Sequence, residues 1–334
     1  METAIAETLL FGEREARIFA AREICKLGRN ERQKLAENGA IPQLIFMLES
    51  QDYESIEAAL LALLNLAFGS ERNKIRIAKS GATQALLKVL QWRNESLLEL
   101  ALAALLILSS CAANKPEIAS SGAVQLLFEL LDSESPNGEA VSHQAKLDII
   151  STLHNLLVSP ETLPSAILSD GLIRLIHLIC DADKSSDLAE KAVALLESLI
   201  SSSESAVSLV AEIGGAIGLL VEAVEEGTAA CKEHAAAILA VICRSCRERY
   251  RGVILGEGAM PGLMQLSVDG NRRAREKAKA LMMMLRESSE SGPARVRHSK
   301  SVLVEEVMRK IDRGGKRGGS IQLVEKMIAR LNSI

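Results

Sequence analysis

Aromatic side chains are scarce in this 334-residue chain: one Trp, two Tyr and five Phe. The apolar mass must come instead from Leu, Ala, Ile, Val and Met, which suit helices better than pleated strands. Seven Pro and 22 Gly are too few to turn a many-stranded β-sandwich. Long apolar runs are missing as well. The stretch Leu100–Leu108 is among the longest, and it reaches about half of the roughly 18 residues a membrane-spanning helix needs. The N-terminus carries Glu2 and Glu7 and no basic run, so it does not read as a secretory leader. Six Cys scattered over the chain make no disulfide framework, which points to buried free thiols in a cytoplasmic or nuclear protein. A net charge of -4 supplies no global field to attract nucleic acid.

What is present is 48% hydrophobic and 25% charged residues, enough for a large core and too apolar for disorder throughout. A glycine step recurs at Gly39, Gly81, Gly122, Gly171, Gly215 and Gly258, with neighbours such as Asn38-Gly39-Ala40-Ile41-Pro42 and Glu257-Gly258-Ala259-Met260-Pro261. Five intervals of about 42 residues, one stretched by the insertion Asp132–Gly138, are the signature of a stacked helical repeat. Each unit reads as a short amphipathic segment, a glycine turn with φ > 0, a second helix and a longer third helix. The third helices are predicted at 55–67, 96–109, 145–158, 188–201, 229–244 and 272–286. Residues 1–28 resemble a second and third helix without their first. No unit can bury its own apolar stripe, so stacking has to supply the core.

Three helices per unit, the Gly-Ala-Ile-Pro turn and the phrase Ala59-Leu-Leu-Ala62-Leu-Leu-Asn65-Leu-Ala67 resemble the armadillo-repeat family. The resemblance implies an all-α armadillo-type solenoid, a right-handed superhelix of six repeats (about 29–70, 71–112, 113–159, 160–203, 204–246 and 247–287) behind an N-terminal partial cap. Residues 1–287 then form one domain, and 288–334 a basic tail with one or two short helices. The last unit, through Gly270-Asn-Arg-Arg273-Ala-Arg-Glu-Lys277-Ala and Leu285-Arg-Glu287, is similar to the terminal repeat of plant U-box/armadillo proteins. In that family a U-box recruits a ubiquitin-conjugating enzyme and the armadillo array holds the substrate or a regulator. No stretch here resembles a U-box, so protein binding is what the resemblance carries over.

Armadillo arrays bind along a concave wall of third helices. The family's ligand-contacting Asn maps to Asn65, Ile107, Asn155, Glu197, Val241 and Met284, and the position one turn earlier to Leu61, Ala103, Ser151, Val193, Ala237 and Ala280. Only two of the former are Asn and none of the latter is Trp, which disfavours a nuclear import adaptor. Glu57, Glu99, Glu233 and Glu276 lie two turns before the Asn position. Eight residues turn a helix by about 80°, so these carboxylates flank the groove. They read either as an acidic ladder for a basic extended segment or as solvated helix-forming residues. Asn65 and Asn155 read either as a clamp on a ligand backbone or as ties between units.

The tail beyond Arg286 holds ten Lys/Arg against six Asp/Glu. It reads as a pseudo-ligand for the acidic body, released by phosphorylation of Ser299 or Ser301, or as a solvated or nuclear-targeting patch. The amphipathic stretches Val302–Ile311 and Ile321–Leu331 suit a cap on the last unit. No spacing suits a catalytic triad, cofactor or metal; Cys231 and Cys243, twelve residues apart on one helix, would be about 18 Å apart. Met282–Met284 sit at core and end-cap spacing and read as packing rather than as a cofactor site. The expectation is a monomeric, non-catalytic scaffold for a protein partner, with neither nucleic acid nor membrane as its target. The alternative is the substrate-recognition part of a U-box ubiquitin ligase.

Overall fold

A computed structural model describes residues 2–92, 94–131, 141–157 and 165–286. The insertion after Asp132 and the tail with its two amphipathic stretches lie outside the described residues. Within the described residues the chain is all-α, with no strand. The partial first unit is α1 (Glu2–Phe11) and α2 (Arg14–Ile24). Triplets follow: α3 (Arg29–Glu37), α4 (Ala40–Leu48) and α5 (Tyr53–Ala67); α6 (Glu71–Lys79), α7 (Ala82–Gln91) and α8 (Glu95–Ser109). The next is α9 (Lys115–Ser120), entered through a 3-10 turn, with α10 (Ala123–Leu130) and α11 (His143–Leu156). Then come α12 (Ser165–Asp181) and α13 (Asp187–Ser202). The last triplets are α14 (Glu204–Glu212), α15 (Ala216–Glu226) and α16 (Ala229–Ser245), then α17 (Arg247–Gly256), α18 (Ala259–Asp269) and α19 (Arg272–Leu285). The third helices begin and end within two residues of the predicted spans.

Local chemistry explains the triplet. Gly39, Gly81, Gly122, Gly215 and Gly258 adopt φ between 81° and 91°, the left-handed bend that lets a first helix stop and a second leave at a new angle. Every third helix from α5 onward opens on a side chain that accepts the backbone N–H three residues on: Asp52, Asn94, Ser142, Ser186, Thr228 and Asn271. Such a cap satisfies a donor that the helix itself cannot.

The fourth unit departs from this pattern. Gly171 was expected to be a turn, yet it lies inside α12, which runs unbroken from Ser165 to Asp181. Asp170 and Arg174 form an ion pair of 2.8 Å across the expected break, at the i,i+4 spacing of a continuous helix. The glycine serves packing instead: a Cβ there would come within 2.6 Å of the Phe128 ring on α10.

The helices divide into two compact units, residues 1–181 and 182–334. In the first, successive third helices pack side by side in the order α2, α5, α8, α11, with α1, α4 and α7 beside them. Their contact surface is Leu and Ala: Leu60, Leu63, Leu66, Leu102, Leu105, Leu108 and Leu153 are all 3% exposed or less. In the second, α13, α16 and α19 pack in turn around Leu195, Leu199, Ile238, Ile242 and Leu281, each buried.

Two expectations about sulfur change. Cys111, Cys231 and Cys243 are buried, but Cys25, Cys180 and Cys246 are exposed. Met283 is 64% exposed and not part of the core, because the buried stripe of α19 is Ala274, Ala278, Leu281 and Leu285.

Candidate protein-binding face

Residues four apart on a helix share a face, and on α5 Glu57, Leu61 and Asn65 form one half-buried line. Glu99, Ala103 and Ile107 repeat it on α8, and Ser151 and Asn155 on α11, all half-buried. Because α5, α8 and α11 pack in order, these lines lie on consecutive third helices of the first unit. Glu197, Glu233, Val241 and Glu276 belong to α13, α16 and α19 of the second unit.

At the middle position Leu61, Ala103 and Ser151 are half-buried and Ala280 is exposed, whereas Val193 and Ala237 are 0% and 2% exposed. Leu64 and Leu106, which the repeat register did not single out, are also half-buried beside that line. The first unit therefore presents apolar side chains in partial contact with water.

The carboxylates are engaged within the protein. Glu99 accepts from the hydroxyl of Ser142, the cap of α11. Glu233 accepts from the amide of Asn271, the cap of α19, at 2.7 Å. Glu57 accepts from the Tyr53 hydroxyl at 3.2 Å and lies 3.9 Å from Arg22 on α2. Glu276 pairs with Arg272 on its own helix at 3.0 Å. Glu190 adds a further tie by accepting from Thr228, the cap of α16. A carboxylate near the start of one third helix thus holds the cap of the next, which joins local helix initiation to stacking.

The amides are engaged too. Asn65 Nδ2 donates to the carbonyl of Leu61 at 3.1 Å, and Asn155 Nδ2 reaches Ser109 Oγ on α8 at 3.1 Å. The Asn65 carbonyl accepts from Arg32 at 2.6 Å, which satisfies an acceptor in the last turn of α5. At Glu197 the partner is His234 Nδ1 on α16, 2.6 Å away. That hydrogen bond, outweighing desolvation, raises the imidazole pKa above its ordinary value. Neighbouring Cys231 is pushed up to about 11, first by burial and then by Glu190, so its thiol is not a ready nucleophile. Spacing arguments missed the His234 contact, since no sequence rule pairs residues 37 apart. The cap ties were within reach, because a capping residue stands just before each third helix.

Among the described residues no single helix is long and apolar enough to cross a membrane. The family described as Armadillo/beta-catenin-like repeat matches residues 29–68. U-box domain-containing protein 45 of Arabidopsis thaliana is 29% identical over 270 residues, covering 80% of this chain and 34% of that protein. U-box domain-containing protein 17 of the same plant is 32% identical over 277 residues, 81% of this chain and 36% of its own length. The chain thus spans about a third of the length of the curated relatives it matches. An engineered protein of known structure is similar with a TM-score of 0.69 at 19% identity, over 98% of this chain and 77% of its own.

Proposed function

This chain is an armadillo-repeat protein, and from that premise we propose that it is a non-catalytic scaffold of the cytoplasm or nucleus that holds a partner protein on the third-helix wall of residues 1–181. One observation carries this reading: Leu61, Leu64, Ala103, Leu106, Ile107 and Ser151 stay partly open on consecutive third helices of one unit. Half-exposed apolar residues between polar flanks are the composition of a recognition surface. The engaged carboxylates argue for apolar anchoring over a purely ionic grip on a basic segment.

The similarity to U-box domain-containing proteins over four fifths of the chain supports a second, narrower reading. Here the array is the substrate-recognition part of a ubiquitin ligase. Both readings share one test. Cross-linked partners of the wild-type chain are compared with those of a Leu61→Glu, Ile107→Glu variant whose helicity is unchanged. The partners are expected to be lost; equal recovery overturns the placement. Ubiquitin attachment to a recovered partner that falls when this chain is depleted selects the ligase reading.

A further inference from the structure

The wall formed by α5, α8 and α11 begins one helix earlier, and its first row is cationic. Leu61, Leu64 and Asn65 stand nine, twelve and thirteen residues after Asp52, the N-cap of α5. Ala103, Leu106 and Ile107 stand at the same distances from Asn94 on α8, and Ser151, His154 and Asn155 from Ser142 on α11. On α2, whose N-cap is Glu13, that register falls on Arg22 and, in the turn ending the helix, on Cys25 and Lys26. All three are exposed.

Neighbour contacts place this row beside the next one. Arg22 lies 3.9 Å from Glu57 on α5. Desolvation raises the Cys25 thiol pKa, and the adjacent Asn65 side chain opposes the rise. Arg32 adds a cation at the same corner, donating to the Asn65 carbonyl at 2.6 Å. Because α2, α5, α8 and α11 pack in that order, the chemistry of the wall changes in sequence. Two cations on α2 give way to half-buried Leu61, Leu64, Ala103, Leu106 and Ile107, then to the polar Ser151, His154 and Asn155. Each cation already has a carboxylate neighbour, Glu57 for Arg22 and Glu23 for Lys26. With the Arg22 and Lys26 side chains 53% and 72% exposed, water screens both pairs, and exchange for an incoming carboxylate costs little.

We infer that this wall takes an extended apolar segment of the partner protein with an acidic end. The carboxylates meet Arg22 and Lys26, the apolar side chains meet the rows on α5 and α8, and the far end lies on α11. The inference rests on the groove reading and adds the partner's chemistry and the end at which its charge sits. Helix axes stand about 8–10 Å apart, a distance an extended chain crosses in about two to three residues. About ten residues therefore span the four rows. Extended backbone carries N–H groups that need acceptors, and Asn65, Ser151 and Asn155 bring side-chain oxygens among the apolar contacts. A basic segment fits worse, because it meets cations at α2 and, on α8, a Glu99 that already holds the cap of α11.

The test is fluorescence anisotropy of the full chain at low salt with three labelled decapeptides. The first has two Glu at one end followed by Leu at alternate positions, which share one face of an extended chain. The second and third carry Lys or Gln in place of Glu, and each peptide is made with the pair at either terminus. The Glu peptide, in its better placement, is expected to bind about tenfold more tightly than the Lys peptide. Arg22→Glu, Lys26→Glu should reverse that order, a rescue that misfolding does not produce, and Arg22→Gln, Lys26→Gln should erase it. Ile107→Glu should weaken all three peptides. Equal binding of the Glu and Lys peptides, or an order that charge reversal leaves intact, overturns the inference while loss in Ile107→Glu upholds the groove. Absence of binding by all three peptides also overturns the inference. Binding that Ile107→Glu leaves unchanged overturns the groove placement with it.

Discussion

The ring of Phe128, 1% exposed, occupies the space a Cβ on Gly171 would need. Replacing a helical glycine by Ala normally gains about 1 kcal/mol. At Gly171 that gain opposes an overpacking cost of about 1–3 kcal/mol, and a ring held on all sides cannot yield. Gly218 on α15 makes the contrast: its added Cβ would meet Glu257 Oε2 at 2.8 Å, the end of a flexible, exposed side chain. Gly171→Ala is therefore expected to lower the urea midpoint and Gly218→Ala to raise it. Two glycines that look alike in sequence should thus change stability with opposite sign, and a shift of the same sign in both would contradict the packing account.

Third helices are held to one another by a polar edge as well as a greasy face. His234 on α16 and Glu197 on α13 form such a contact. Because the folded-state pKa of His234 is raised above 6.5, the stabilisation is fully present below about pH 6.5 and is lost as pH rises through the folded value. The urea-midpoint difference between wild type and His234→Gln should be largest at the acid end of that window and shrink at higher pH. A difference that is flat or grows with pH would exclude the pair as its source. With His234 and Glu197 side chains 30% and 23% exposed, solvent screening keeps the effect modest. Asp52 shows the same logic with opposite sign. The Arg14 guanidinium and the Ser55 hydroxyl hold its carboxyl at about 2, so this link between the α5 cap and α2 survives into acid.

In a chain built from repeats, damage should stay near where it is made, since each element touches mainly its neighbours. Leu60 on α5 is 0% exposed, and Leu→Ala at such a site costs about 2–5 kcal/mol. Leu60→Ala is expected to speed amide exchange in α2, α5 and α8, while the amides of α16 and α19 keep their protection. Uniform loss of protection across both units would show a single cooperative core instead.

The period of about 42 residues, the scarcity of aromatics and the capping residue before each third helix determined the helix order and the places where helices begin. These are local properties: backbone freedom at glycine, orphan N–H groups at helix starts, and apolar spacing of 3.6. The sequence therefore read correctly at Gly39, Gly81, Gly122, Gly215 and Gly258, where the glycine is a turn. Tertiary packing alone decided Gly171, because whether a glycine bends the chain or makes room depends on a ring 43 residues away. It also decided which third-helix positions remain open, since Leu61 is half-buried while Ala237, at the same distance from its helix cap, is 2% exposed. Burial is set by neighbours distant in the chain, and no periodicity records it.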